Sequence, residues 1–298
     1  MVDVFDHVTI RVEDVEASRR FYELALDRLG YGEPYRGDHF FEWEDLSISA
    51  ACEDRAATRN LHLALVARSS RDEVDRWWEA MTAGGYPDDG APGPRPQYSP
   101  DYYGAFVRDP DGHSVEAVHH GETRGGENRI DHLWIRVRDL DASRRFYETV
   151  APVVGLRVKD GSANRFHVTG ASRSFPLVRD DPTTENVHVA FPATDRATVE
   201  AFHRAALEAG FRDNGGPGET RYHPGYYSAS RRPAGRRCIA AADALCSRRA
   251  ANAHSRREPD EVPPRRDADS APLVQHPPRH ALGPAACAAS GHWGAGRA

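Results

Sequence analysis

The sequence predicts an α+β chain made of two tandem copies of one domain, followed by a tail that does not fold. Three observations carry this reading. "DHVTIRVEDVEASRRFYE" from Asp6 and "DHLWIRVRDLDASRRFYE" from Asp131 agree at 13 of 18 positions, and later landmarks recur at nearly the same offset. Each copy runs strand, helix, strands, and then runs so again. From Ser230 the composition changes within one residue: no Phe or Tyr follows, and Arg, Ala, Pro and Gly dominate.

In the first unit, "FDHVTIRV" alternates, so Val8, Ile10 and Val12 share the core face of a strand and His7 points the other way. Asp14 is placed to cap the helix that follows. Val15, Ser18, Phe21, Tyr22, Ala25 and Leu29 keep helical spacing, and Gly30 ends it. "FFEWEDLSISA" supplies the returning strands. In the second unit, "LHLALVA" puts Leu61, Leu63 and Leu65 on one face and His62 on the other. Ser70 and Glu73 form a capping box for a helix lined by Val74, Trp77, Trp78 and Met81. "YYGAFVR" and "HSVEAV" then make a hairpin through "DPDG".

The boundaries follow: a complete domain over 1–120, a Gly-rich polar linker over 121–129, an incomplete second domain over 130–229, and a disordered tail over 230–298. His119 and His120 read as solvated linker. Aligned on Tyr103 and Tyr227, Glu116 corresponds to Ala240, so the second domain is expected to lack its last two strands and to expose a sheet edge. A single Lys in the chain beside abundant Arg, Ala, Gly and Pro suits a GC-rich gene, and the tail reads as that gene translated out of frame.

The chain has 298 residues, an apolar fraction of 39% and a mean hydropathy of −0.67. No apolar run approaches the roughly 20 residues of a membrane span, and the N-terminus lacks the basic start and apolar core of a secretory signal, so a cytoplasmic protein without a membrane partner is expected. The four cysteines form no CxxC pair, which argues against a disulfide framework or a zinc knuckle. The net charge of −6 combines a basic tail, with 12 Arg against 6 acidic residues, and an acidic body, which argues against a nucleic-acid partner.

Three metal-ligand residue types fall at matched places in the first copy: His7 and His62 on the opening strands of the two units, and Glu116 on a closing strand. A lone strand histidine is more often structural than a ligand, but three at matched positions favour a site. Two imidazoles and a carboxylate suit one divalent ion such as Fe(II), Mn(II), Zn(II) or Ni(II), with positions left for substrate and water. The second copy repeats the histidines as His132 and His188, an incomplete second site. Tyr102 and Tyr103, at the mouth of the hairpin, are candidate catalytic acids or substrate hydrogen-bonding groups.

The order "DHVTIRV", "FYELAL", "LHLALVA" and "AFVRDPDGHSVEAV" resembles the vicinal oxygen chelate superfamily, which includes glyoxalases, extradiol dioxygenases and bleomycin-resistance proteins. The resemblance implies paired βαβββ modules curling into a cup around one divalent metal, with His7, His62 and Glu116 as ligands. It also implies a metal-dependent enzyme, of lyase, isomerase, transferase or ring-cleaving dioxygenase type, acting on a small substrate that chelates through adjacent oxygens. The alternative within the superfamily is a metal-free protein of the bleomycin-resistance kind that sequesters its ligand. Cups in this superfamily close within one chain or by module exchange in a homodimer. Two departures narrow the choice. Glyoxalase I adds a carboxylate on the first module's closing strand, where "LSISAA" has Ser49 or a neighbour. Extradiol dioxygenases carry a Tyr where this chain has Phe106.

Overall fold

The computed structural model describes residues 3–37, 39–121, 128–219, 226–232 and 238–243, from 230 onward by backbone alone. Four strand–helix–strand modules follow one another. The first holds β1 (His7–Val12), α1 (Val15–Arg28), β2 (Tyr35–Arg36), β3 (Phe40–Trp43) and β4 (Leu46–Ala50). The second holds β5 (His62–Val66), α2 (Arg71–Ala83), β6 (Asp88–Pro94), β7 (Tyr103–Arg108) and β8 (Ser114–His119). The third runs β9 (Ile130–Val137), α3 (Leu140–Val150), β10 (Arg157–Ser162), β11 (Arg165–Thr169) and β12 (Ser174–Arg179). The fourth runs β13 (His188–Ala193), α4 (Arg196–Glu208), β14 (Arg212–Asp213), β15 (Gly218–Glu219), β16 (Tyr227–Arg232) and β17 (Cys238–Asp243).

Local chemistry sets the helix ends. Asp14, Asp139 and Asp195 accept from backbone amides of the first turns of α1, α3 and α4. At α2 the Ser70 hydroxyl accepts from the Glu73 amide, and the Glu73 carboxylate reaches back to the Ser69 amide at 2.7 Å. Leu26 and Phe21 of α1 and Trp77 and Met81 of α2 are fully buried between helices and sheets, and Trp77 donates to the Ala25 carbonyl. Trp78 is only partly buried and donates to Asp88.

The modules do not pair with their neighbours in the same repeat. The first sheet joins the first and fourth modules, in the order β14, β16, β17, β13, β1, β4, β3, β2; the second joins the second and third, in the order β10, β11, β12, β9, β5, β8, β7, β6. Each sheet is centred on an antiparallel seam between two opening strands. In the first, Val8 lies opposite Val189, with His7 against Ala190 and Thr9 against His188. In the second, Leu63 lies opposite Leu133, with His62 against Trp134 and Ala64 against His132. Each seam therefore has a local two-fold relation that sets a strand histidine of one repeat beside one of the other.

The expectation that the fourth module lacks its last two strands is corrected. β16 runs through Ser230 to Arg232, and β17 pairs in parallel with β13 over Cys238–Asp243. Sheet pairing is a bond between backbones, so the segment "CIAAAD" can fill the open edge of β13 although its sequence departs from the "SVEAVH" of β8. The remainder of the expected tail, 233–237 and 244–298, lies outside the described residues, as does most of the linker.

Candidate metal centre

The seam of the second sheet gathers the site. His62 opens β5, and Glu116 stands on β8 in register with Ala64, two residues along from His62. The third group is His132 of β9. His62 Nε2 lies 3.1 Å from Glu116 Oε2, His132 Nε2 lies 3.8 Å from the same oxygen, and one ligand atom from each residue falls within 4.8 Å of the others. Two imidazoles and one carboxylate so arranged can hold a divalent ion.

Each member is oriented by a further group. The Tyr102 hydroxyl donates to Glu116 Oε1 at 2.6 Å. His132 Nδ1 donates to Asp131 Oδ1 at 2.9 Å, which leaves Nε2 to face the centre, and His120 Nε2 reaches the same oxygen at 3.2 Å. His62 Nδ1 lies 3.2 Å from Ser114 Oγ, whose hydroxyl donates to Asp89. Gly104 completes the fit, because a Cβ there would come within 2.5 Å of Glu116 Oε1.

Burial sets the charge states. It pushes the Glu116 carboxyl up to about 7, against the pull of His132 and Tyr102, and it drops the His62 imidazole to about 4, helped by the nearby Arg136 charge. Burial works the same way on Asp131, but the hydrogen bonds from His120 and His132 outweigh it and hold that carboxyl well below the usual range. Asp131 thus stays an anion beneath the site. Above the triad opens a cavity of about 560 Å³, walled by Phe106, Trp134 and Tyr102 and carrying Arg108, Arg136, Arg165 and His167.

This placement divides the residues read from the sequence. His62 and Glu116 come together, but with His132 of the other repeat; His7 lies in the first sheet, its Nε2 3.2 Å from His188 Nε2. The trio His7, His62 and Glu116 is therefore not assembled, and neither is the pair His132 and His188. The physical reason is the choice of seam, which joins β5 to β9 and β1 to β13. Tyr102 reaches the cavity, whereas the Tyr103 hydroxyl donates to Asp75 on α2 at 2.8 Å. His119 and His120 are not solvated linker: His119 is buried on β8, and His120 lines the cavity. The acidic residue before His7 and before His132, in "DH" at Asp6 and at Asp131, was the available signal for the supporting carboxylate. Nothing in the sequence marked Trp134 or Arg165.

Register also corrects the place of the missing carboxylate in the first module. Thr9, two residues after His7, pairs with Ser47 rather than Ser49. The places level with Glu116 are thus Ser47 in the first module and Ala240 in the fourth, which pairs with Ala190. In the third module Leu177 pairs with Ile135, which sets Pro176 at that place. One closing strand of four carries a carboxylate there.

Comparisons with known proteins agree with this architecture. The model of the Glyoxalase/Bleomycin resistance protein/Dioxygenase superfamily matches residues 4–117 and again 129–235. No curated protein matches. Among solved structures, glyoxalase I from Zea mays aligns with a TM-score of 0.61 at 19% identity, over 85% of this chain and 97% of its own. A putative dioxygenase from Bacillus subtilis aligns with a TM-score of 0.55 at 14% identity, over 81% and 85%. Likeness at such identities speaks to fold alone. With both repeats matched over most of the chain, the protein belongs to the Glyoxalase/Bleomycin resistance protein/Dioxygenase superfamily.

Proposed function

We propose that the protein is a divalent-metal-dependent enzyme acting on a small substrate that chelates through adjacent oxygens. The observation that carries this is the convergence of His62, Glu116 and His132 at the floor of the cavity, each with its own orienting partner. When bound, the metal would supply Lewis acidity toward a substrate oxyanion. The chain's own groups do the rest. Three protein ligands leave positions for substrate oxygens, and Phe106 and Trp134 offer flat apolar walls to its carbon skeleton. Arg136 and Arg165 bring positive charge to the same cavity, which favours a substrate that is anionic or becomes so. Tyr102 has its hydroxyl proton on Glu116, so its part is to hold the carboxylate; His120, held by Asp131 at the cavity wall, is the group assigned to proton transfer.

Metal analysis of the purified chain tests the reading. Close to one equivalent of Fe, Mn, Zn or Ni, lost in His62→Ala and in Glu116→Gln, is the expected result. A folded protein that takes up no metal overturns it and leaves a ligand-sequestering cup.

A further inference from the structure

The three arginines of the cavity are not equivalent. Arg108 pairs with Asp89 at 2.5 Å, and Arg136 donates to the Asn60 carbonyl at 3.2 Å with Asp180 3.6 Å away. No carboxylate among the described residues pairs with Arg165; its guanidinium lies 5.6 Å from the centre of the Trp134 ring, and its buried Nε meets no hydrogen-bond partner. The ring holds that group on one side. Gly161, in the bulge of β10, leaves room for it on the other, since a Cβ there would stand 3.2 Å from Nε. Burial and the Arg165 charge both lower the nearby His167 imidazole, which therefore stands neutral at this end of the cavity.

The fold does not call for this arginine. Arg165 pairs with Val178, which pairs with Arg136; in the first sheet Phe40 pairs with Ser49, which pairs with Arg11. Trp134 lies opposite His62 as Thr9 lies opposite His188. The same backbone places thus carry Phe40 and Thr9 in one sheet, and Arg165 and Trp134 only in the sheet that holds Glu116. A guanidinium with a buried, unsatisfied N–H costs stability, and packing alone gives no reason to keep it.

We propose that Arg165, stacked on Trp134, docks a substrate carboxylate, so that the substrate is a small monocarboxylate whose acid group lies at the opposite end from its two chelating oxygens. This rests on the metal centre at His62. The planar fork of a guanidinium matches a carboxylate with two parallel N–H···O bonds, and one unneutralised cation balances a single negative charge rather than the two of a phosphate. β11 lies two strands from β9, and the guanidinium leans back over Trp134, so carboxylate and chelating oxygens stand within about 10 Å of each other.

The test is calorimetric titration of the full chain loaded with Zn(II), using monohydroxamates of straight-chain dicarboxylic acids of increasing length. The hydroxamate supplies the chelating oxygens and the free acid the carboxylate. Each acid is compared with its carboxamide of the same length, and acetohydroxamate reports on the centre alone. At the length that spans the cavity, the acid is expected to bind wild type at least about tenfold tighter than its amide, and Arg165→Gln within about twofold of it. Arg165→Lys, which keeps the charge without the fork, should fall between the two. Acetohydroxamate should bind all three proteins alike, which checks that each variant has folded with its centre intact. An acid with no advantage over its amide at any length, or an advantage that survives in Arg165→Gln, overturns the proposal and leaves the centre standing. Failure of acetohydroxamate itself to bind wild type overturns the metal centre and this proposal with it.

Discussion

Asp131→Asn probes the centre through a group that does not itself touch the ion. Asp131 is 2% exposed, and its Oδ1 accepts from His132 at 2.9 Å and from His120 at 3.2 Å. The amide keeps the shape but removes the charge. Both imidazoles already share the one oxygen Oδ1, which the amide can keep as an acceptor, so what is lost is the negative charge that makes each of these bonds strong. His132 is then held less firmly with Nε2 toward Glu116, and that nitrogen is a poorer donor to an ion. Loss of such a partner weakens metal binding by roughly 10–100-fold, about 1.4–2.7 kcal/mol. Competition for Zn(II) against a chromophoric chelator reads this directly, and the absorption spectrum of the Co(II) form should shift, which a general loss of stability would not produce. Asp6→Asn makes the same change beside His7 in the first sheet and should leave the affinity of the His62 centre as it was. A dissociation constant for Asp131→Asn within about twofold of wild type, with the Co(II) spectrum unchanged, would refute the orienting role.

The two tyrosines separate cleanly. Tyr103→Phe should leave metal affinity and turnover unaltered, because its hydroxyl serves Asp75, whereas Tyr102→Phe should weaken metal binding by about tenfold by releasing Glu116; equal effects in the chelator assay would contradict the geometry. Metal affinity should fall as pH drops below about 7, by up to about tenfold per unit. The Glu116 proton, held at about 7 in the metal-free site, must leave before the carboxylate can ligate, while His62, at about 4, is already neutral. A flat affinity between pH 5 and 7 would contradict this. Trp77→Ala should cost about 3–5 kcal/mol in urea unfolding, since the ring is fully buried and its indole N–H serves the Ala25 carbonyl. A loss below about 1 kcal/mol would mean that the α1–α2 packing is not what holds the repeat together.

Within a module, the sequence was a good guide. Strand alternation placed Val8, Ile10 and Val12 in the core, the Ser70–Glu73 pair began α2, and "DPDG" turned β7 into β8, with Gly112 at φ +82° and Asp109 accepting from the His113 amide. These are local rules, satisfied within a few residues. Between modules the sequence was silent. β1 can be joined by another opening strand from either repeat, because each candidate offers the same alternation and the same backbone donors and acceptors. Tertiary fit decided it, in contacts such as Asp45 accepting from the Arg129 and Ile130 amides and the Val66 amide donating to the Arg129 carbonyl, which hold the start of the second repeat against the first.

That choice of partners explains what could be read of the site and what could not. His62 and Glu116 were legible because the two strands belong to one module and their register follows from its hairpin. His132 was legible as a ligand type but not as their companion, since its approach depends on the β5–β9 seam. The same seam accounts for the asymmetry between the two sheets. Each sheet offers two histidines and two closing-strand places; the second sheet fills one of those places with Glu116, and the first fills them with Ser47 and Ala240. Ala240 lies beyond the point where the repeat breaks at Ser230, so the break has no bearing on the centre at His62. It falls on the other seam, where β17 sets Ala240 opposite Ala190 and Ser47 takes the matching place on β4, so that His7 and His188 face each other with no carboxylate at either.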